Sequence, residues 1–294
     1  MATIKEELQA AVQRLFDEDR IDCFVGYVDD YGHTVAAILP KGADLSRLTF
    51  DRRSYNNLAN VLPELRGKRV GLVCKQCEVR VLNVLASEGQ INREDLIVVG
   101  VPCPAMIDPR KLPAEGEDLD ALDESHWQEK CRRCVERNTP DADVFVGERV
   151  STPTPATGWP LLEEIEAMDR PEREAWWREQ MALCIRCYAC RLACPLCYCH
   201  QCFVEDNKPQ WLDKSVAPDN NLYYHIIRAG HLAGRCIECQ ECSRVCPVGI
   251  PVDVLNNVLT RDFAERFGHT AGASAEAKPA LVDYDKNDPE DFIL

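Results

Sequence analysis

Two cysteine runs near the C-terminal end have the spacing that holds iron–sulfur clusters. In each run three cysteines are separated by two-residue gaps, and a fourth follows three residues later, directly before a proline. The first run comprises Cys184, Cys187, Cys190 and Cys194, and the second comprises Cys236, Cys239, Cys242 and Cys246. Two-residue gaps let three thiolates wrap one corner of a cubane cluster, while the fourth thiolate comes from further away. The spacing therefore predicts two 4Fe-4S clusters.

The last cysteine of each run is expected to bind the cluster of the other run. Where such runs occur in pairs, the cysteine before the proline ligates the opposite cluster. The predicted sets are Cys184, Cys187, Cys190 and Cys246 on one cluster, and Cys236, Cys239, Cys242 and Cys194 on the other. The alternative is a pair of zinc sites or a reduced cysteine-rich core. Zinc sites, however, generally use two CxxC pairs or combine cysteine with histidine.

Two further cysteines follow predicted strands at one edge of a sheet. Residues 68–74 and 96–101 are buried strands joined by a helical stretch, which is a βαβ unit with parallel strands. Cys77 comes just after the first strand and Cys103 just after the second. Open α/β sheets place ligands at the carboxyl ends of neighbouring parallel strands, so we expect these two thiols to lie together.

A CxxC pair completes this second candidate site. Cys131 and Cys134 can close over the sheet edge, so that they and the thiols of Cys77 and Cys103 supply a third 4Fe-4S cluster. Cys74 is expected to be the last inward residue of its strand, and it could exchange roles with Cys77. The alternatives are a redox-active disulfide between Cys74 and Cys77, a zinc site, or plain cysteines.

The residues directly after the first run hold more candidate ligands. These are Cys197, Cys199, His200 and Cys202. One interpretation is a further metal site, either zinc or another cluster completed by a distant cysteine such as Cys74. In a second interpretation, some of these thiols pack near the clusters and tune their reduction potentials. In a third, one of them replaces Cys194 as the distal ligand. The sequence leaves these alternatives open. We take His200 and His231 as the histidines of the cluster region, and expect His231 to pack or hydrogen-bond beside a cluster.

Composition narrows the class of protein. The 294 residues are 46% hydrophobic and include 17 cysteines. An odd cysteine count without a secretory signal predicts reduced metal ligands in a cytoplasmic, anaerobic setting rather than disulfides. The net charge of −15 argues against nucleic acid as a partner. No apolar run reaches the roughly 18 residues that a membrane span needs, so direct membrane insertion is not expected.

Hydrophobic periodicity predicts the elements that position these cysteines. Residues 3–19 form an amphipathic helix, residues 24–28 and 34–39 form a hairpin, and residues 54–65 form a helix that Ser54 could cap. After the βαβ unit, residues 143–148 add a strand. In the C-terminal part, helices at about 160–183, 219–230 and 251–267 bracket the two runs.

These elements divide the chain into four parts. We predict an α/β domain with a parallel βαβ core at residues 1–149, which carries the third cluster. A Pro/Thr-rich linker occupies residues 150–160. A helical domain with two clusters follows at residues 161–268. The acidic tail, residues 269–294, is expected to lie on a partner or to stay mobile.

Specific stretches resemble known redox proteins. The C-terminal stretch, HIIRAGHLAGRC at 225–236 and CPVGIP at 246–251, looks like an α-helical ferredoxin of the heterodisulfide reductase and succinate dehydrogenase type. The N-terminal stretches, KQCEVR at 75–80, VGVPC at 99–103 and DPRK at 108–111, resemble dicluster β-subunit-like relatives of deazaflavin-reducing hydrogenase and formate dehydrogenase. The resemblance covers about residues 45–265.

This resemblance implies an electron-transfer subunit of a cytoplasmic anaerobic oxidoreductase complex. The expected partners are catalytic or flavoprotein subunits, with ferredoxin as a further candidate. The residues show no acid–base pair, and no GxGxxG follows a strand, so we predict no catalytic residues and no cofactor ligands beyond those of the clusters. One alternative is a flavin- or deazaflavin-dependent β subunit with its own substrate site in the N-terminal domain. Another is a structural zinc protein.

Overall fold

The computed structural model describes residues 3–113, 117–280, 282 and 287, and has an α/β sheet region followed by a helical region. This order confirms the predicted fold class at that level. In chain order, the sheet region contains α1 (Ile4–Asp17), β1 (Cys23–Asp30), β2 (His33–Pro40), β3 (Leu48–Thr49), β4 (Val70–Cys74), α2 (Gln76–Ser87), β5 (Leu96–Gly100), α3 (Glu129–Arg132) and β6 (Val144–Phe145). The helical region contains α4 (Pro160–Ala167), α5 (Arg170–Leu183), α6 (Ala189–Leu192), α7 (Pro218–His231), α8 (Glu241–Arg244) and α9 (Asp253–Phe267).

The sheet has a parallel core with an antiparallel edge. Its strand order is β2-β1-β4-β5-β6, and β3 pairs with β1. The β1/β2 hairpin is antiparallel, whereas β1/β4, β4/β5 and β5/β6 are parallel. Every residue of β4 is buried, as expected of a strand covered on both faces. The predicted hairpin and βαβ unit are therefore both present.

Two predicted helices need correction. The helix expected at residues 54–65 is a 3-10 helix over Leu58–Leu65, with Pro63 inside it. Its N-cap is Asn57, not Ser54, because the Asn57 side chain accepts the Ala59 amide at 3.1 Å. The single helix expected at 160–183 is broken into α4 and α5. Asp169 caps α5, and the Pro171 ring would clash with the carbonyl of Ala167 if α4 continued.

The helical region contributes side chains to the hydrophobic core that covers the sheet, besides having clusters of its own. Leu196, Leu232 and Ile237 from the helical region are buried among the residues that cover the sheet. The start of the predicted tail also packs here, because Arg80 and Asn83 on α2 donate hydrogen bonds to the carbonyls of Ala271 and Gly272. Residues 281, 283–286 and 288–294 of that tail lie outside the described residues. Across the described ranges, no helix is both long and apolar enough to cross a bilayer.

Candidate metal centres

The two cysteine runs have the same backbone geometry. In the first run, Arg186 and Tyr188 have positive φ angles of 50° and 61°, and α6 follows. In the second run, Glu238 and Gln240 have φ angles of 60° and 56°, and α8 follows. The left-handed residues turn main-chain amides toward sulfur. The Arg186 amide lies 3.4 Å from Sγ of Cys184, and the Glu238 amide lies 3.4 Å from Sγ of Cys236.

The last cysteine of the second run lies with the first run. Cys184, Cys187, Cys190 and Cys246 line one small cavity, together with Tyr224 and His225. Burial is the main reason that the pKa of Cys184 is raised. The hydrogen bond from the Arg186 amide opposes this rise, and the nearby thiols of Cys246 and Cys187 add to it. The Ile250 amide donates to Sγ of Cys246 at 3.3 Å. The four thiols that were predicted to share a cluster are thus neighbours.

Cys194 lies with the second run in the reciprocal way. Burial raises the pKa of Cys236 to about 12, and the charge of Cys194 contributes to the rise. Burial also raises the pKa values of Cys239 and Cys242, and Cys194 again contributes to both. Cys194, Cys236 and Cys239 pack against the core that covers the sheet. The second run therefore faces the N-terminal region, while the first run faces away from it.

The four N-terminal cysteines also form one group. Burial is the main reason that the pKa of Cys103 is raised far above its usual range, and the neighbouring thiols of Cys131 and Cys77 add to the rise. Burial raises the pKa of Cys77 to about 11 against the opposing charges of Lys130 and Lys75, and Cys134 adds to the rise. Cys77 lies in the first turn of α2, and Cys103 lies three residues beyond β5. As predicted, the carboxyl ends of β4 and β5 bring these two thiols together.

The loop that carries Cys103 is shaped to present amides to sulfur. Ala105 has a φ of 89°, which an L-residue rarely adopts, and the loop points the Met106 amide at Sγ of Cys131 at 3.4 Å. Arg137 lies behind the loop, where its carbonyl accepts the Cys103 amide at 2.7 Å and its guanidinium donates to the Cys131 carbonyl at 3.0 Å. Cys74 is wholly buried as the last residue of β4.

The cysteines after the first run have different neighbours. Pairing with the Cys197 thiol is the main reason that the pKa of Cys194 is lowered to about 6. Cys202 lies beside the Arg191 guanidinium, and Cys199 is exposed. Cys197, Cys199 and Cys202 line one small cavity, although no three ligand side chains of the described residues converge closely enough to hold a single metal ion. A further metal site and a thiol that tunes a neighbouring centre both stay predictions.

Helix α7 supplies polar groups that the sequence reasoning missed. His225 is 3% exposed, and its Nε2 lies 3.5 Å from Sγ of Cys184. Burial lowers the pKa of His225 to about 4, so the ring is neutral near pH 7. His231, which was expected beside a cluster, is exposed and packs edge-on against Phe203. Buried polar residues recur at helical spacing on α7, namely Asn221, His225 and Arg228, and this pattern was the available signal.

Two cations lie at the junctions between the three thiol groups. Nζ of Lys130 donates to the Cys239 carbonyl at 2.8 Å, and Nη2 of Arg228 donates to the Cys190 carbonyl at 3.0 Å. Burial opposes the charge on Lys130, but Glu241 and the thiols of Cys77, Cys131 and Cys239 outweigh it and raise its pKa. For Arg228, burial is likewise outweighed by thiols of both runs, Cys194, Cys242, Cys197 and Cys190, and the pKa is raised.

The donor set fits four-iron clusters better than single ions. Within the described parts of the chain, no three Cys, His, Asp or Glu side chains converge closely enough to hold one metal ion. In a four-iron cluster each cysteine binds a different iron, so the thiols stand further apart than around a lone zinc. The buried Nε atoms of Arg228 and Arg137 lack hydrogen-bond partners among the described residues. Such orphaned donors suit sulfur acceptors of a bound cluster.

Comparison with known proteins identifies the helical part. Residues 180–250 match the model of the 4Fe-4S dicluster domain. Both cysteine runs fall inside the matched stretch, so the match confirms the prediction of iron–sulfur chemistry there. The match does not reach Cys77, Cys103, Cys131 or Cys134.

Two curated relatives extend beyond the dicluster domain. The F420-dependent formate dehydrogenase subunit beta of Methanocaldococcus jannaschii is 31% identical over 103 residues, which are 35% of this chain and 27% of that relative. The F420-dependent formate dehydrogenase 1 subunit beta of Methanococcus maripaludis is 22% identical over 299 residues, 74% of this chain and 76% of that relative. The chain thus matches about a quarter of the first relative and three quarters of the second. Together with the dicluster domain, these relatives confirm the prediction of an iron–sulfur electron-transfer subunit.

Proposed function

We propose that this chain relays single electrons through three 4Fe-4S centres within a multi-subunit anaerobic oxidoreductase. One end of the relay meets a catalytic or flavin-bearing subunit, and the other meets a second redox carrier such as a ferredoxin. Iron–sulfur clusters supply one-electron chemistry when bound, and the protein sets their spacing, burial and hydrogen bonding. The observation that carries the proposal is the succession of three four-cysteine groups, in which the second-run group shares Lys130 with the N-terminal group and Arg228 with the first-run group.

Three ligand sets follow from the grouping of the thiols. The N-terminal centre takes Cys77, Cys103, Cys131 and Cys134; the middle centre takes Cys236, Cys239, Cys242 and Cys194; the outer centre takes Cys184, Cys187, Cys190 and Cys246. The cavity shared by the outer four and the amide–sulfur contacts in each group support these assignments. The closely related backbones of the two runs support equal roles for the middle and outer sets.

The outer centre is the proposed contact point with a partner. Cys187 is the exposed thiol among the twelve ligands, whereas Cys103, Cys131, Cys190 and Cys242 are buried. Exposed apolar side chains flank it, with Ile185 58% and Leu183 51% exposed. Because both relatives are formate dehydrogenase β subunits, the proposed catalytic partner is a subunit that oxidises formate or a comparably small substrate.

Metal analysis tests the proposal. Protein purified without oxygen should contain about 12 irons and 12 sulfides per chain if three four-iron clusters are present, and about 8 if there are two. Replacing Cys103 by Ala should remove about four irons, because that thiol lies at the centre of the N-terminal group. The matched control is Cys74→Ala, a buried cysteine outside the three sets, which should keep all of them. A wild-type content near 8, or a Cys103→Ala variant with undiminished iron, would refute the N-terminal centre.

A second candidate function is a substrate or flavin site in this chain. A cavity of about 370 Å³ lies between the two regions and is lined by Trp159, Arg133, Arg244 and Asp253, among others. Its volume is at the lower end of the range for organic ligands. Protein that keeps flavin absorbance after purification, or that oxidises a reduced deazaflavin without a partner, would favour this function. Protein without either property would leave the relay as the better account.

A further inference from the structure

A largely buried cation lies at each boundary between successive thiol groups. Lys130 lies where the N-terminal group meets the middle group, and its side chain is 10% exposed. Arg228 lies where the middle group meets the outer group, and it is 3% exposed. Both cations are fixed by donating to a cysteine carbonyl, that of Cys239 for Lys130 and that of Cys190 for Arg228.

Lys130 is held from both sides of its boundary. Its own amide donates to Oε1 of Gln240 at 2.8 Å, and its Nζ lies 3.7 Å from Oε1 of Glu241. Glu241 has a second cation, because Nη2 of Arg244 is 2.6 Å from it. The Glu241 carboxylate therefore keeps Arg244 as an ion-pair partner when Lys130 is replaced. Because Arg244 shares this carboxylate, Glu241 does not fully neutralise the charge of Lys130.

The charge of Arg228, like that of Lys130, is not neutralised by its neighbours. Its Nε atom is buried and lacks a hydrogen-bond partner among the described residues. The side chains of Arg186 and His225 can carry no negative charge, so neither cancels the charge of Arg228. The thiols that face Arg228 belong to Cys194 and Cys242 of the middle set, to Cys190 of the outer set and to Cys197. The charge of Arg228 is thus directed at the two centres that it separates.

We propose that Lys130 and Arg228 are positioning residues for electron transfer, each balancing the negative charge of the two centres between which it lies. A cluster held by four thiolates carries net negative charge, and each added electron increases it. In a buried site of low dielectric constant, two such centres repel, and a cation between them lowers the free energy of reducing either. This inference rests on the proposed relay and adds how the chain makes transfer between its centres favourable.

Reduction potentials measured on the full chain test this role. In Lys130→Met, the N-terminal and middle centres should both become harder to reduce, while the outer centre stays unchanged. In Arg228→Met, the middle and outer centres should shift, while the N-terminal centre stays unchanged. The expected size is about a tenfold change in the ratio of reduced to oxidised centre, or about 59 mV for one electron. Redox titration followed by electron paramagnetic resonance gives the potential of each centre separately.

Charge-conserving variants separate charge from shape. Lys130→Arg and Arg228→Lys should keep both the iron content and the potentials close to those of the wild type. Lys41→Met, which removes an exposed cation from the β1/β2 end of the sheet, should shift no centre. Iron loss from a Met variant alone, with its charge-conserving partner intact, would also support the proposal, since the charge is then needed to hold the centres.

Three results would overturn the inference. One is Lys130→Met or Arg228→Met protein with full iron and unchanged potentials. Another is an equal shift in the Met variant and in the charge-conserving variant. The third is iron loss from both variants of one residue, which would assign that residue a purely steric role. A wild-type iron content near 8 would refute the N-terminal centre itself and with it the role of Lys130. The potentials of Arg228→Met would then still test whether Arg228 balances the charge of the middle and outer centres.

Discussion

The guanidinium of Arg235 is hydrogen-bonded to the carboxylate of Glu88, with Nη2 2.7 Å from Oε2. Glu88 follows α2 of the sheet region, and Arg235 directly precedes the second cysteine run. The hydroxyl of Tyr198 donates to the same carboxylate at 2.7 Å. One acidic side chain thus connects the sheet region to the segments after the first run and before the second.

The first prediction concerns this connection. Glu88→Gln should lower stability by about 2 kcal/mol, because two donors lose a charged acceptor in a partly buried site. The midpoint of thermal unfolding, measured anaerobically by circular dichroism, should fall by about 3 °C. The control is Glu18→Gln, whose contact with Arg20 is 3.9 Å long and exposed on both sides. Similar shifts in the two variants would contradict a special role for Glu88.

The second prediction tests the exchange of ligands between the runs. If Cys184 and Cys246 serve one cluster, the double variant Cys184→Ser/Cys246→Ser should lose about four irons, no more than either single variant. Cys184→Ser/Cys194→Ser should lose about eight, because it damages two clusters. Iron analysis of the purified variants gives the answer. The opposite order of losses would mean that each run binds its own fourth cysteine.

The third prediction concerns the thiol after the first run. Cys197→Ala should keep its full iron content if Cys197 pairs with the Cys194 thiol and is not itself an iron ligand. The middle centre should become harder to reduce, since a hydrogen bond to the sulfur of Cys194 is lost. Cys194→Ala should lose about four irons instead. If Cys197→Ala were the iron-poor variant, Cys197 would be the distal ligand.

The fourth prediction concerns the segment that packs on α2. A Cβ added to Gly272 would lie 2.1 Å from the carbonyl oxygen of Arg80, at a φ of +66°. Gly268 has a similar φ of +59° but nothing within 4 Å of its Cβ position. Gly268→Ala should therefore cost about 1 kcal/mol from the left-handed backbone alone. Gly272→Ala should cost about 3 kcal/mol or free the segment, which thermal unfolding and limited proteolysis would detect. Equal effects would argue against the packing contact.

The fifth prediction concerns removal of iron. The outer set includes the exposed Cys187, whereas the N-terminal and middle sets are covered by protein. A ferrous chelator should therefore remove iron in two phases, and the fast phase should account for about four irons. Arg228→Lys, which leaves the exposure of Cys187 unchanged, should keep the same fast phase. If the wild-type protein lost its iron in a single phase, with no fast phase, the result would contradict the exposed position of the outer centre.

The chemistry of the chain could be predicted from the sequence because it depends on local spacing. Three cysteines at two-residue gaps must turn around one point, whatever surrounds them. The βαβ unit was equally predictable, since the apolar runs of β4 and β5 and the helix between them force a parallel pair. That pair in turn indicated that Cys77 and Cys103 would meet.

Other features were decided only by the tertiary structure. Lys130 and Cys239 lie 109 residues apart, and Arg228 and Cys190 lie 38 apart, so no local pattern pairs them. Their contacts exist because the second run packs on the sheet region and because α7 passes beside the first run. Burial then gives these charges their strength, since the low dielectric constant of a protein interior is a property of the folded chain and not of any segment of it.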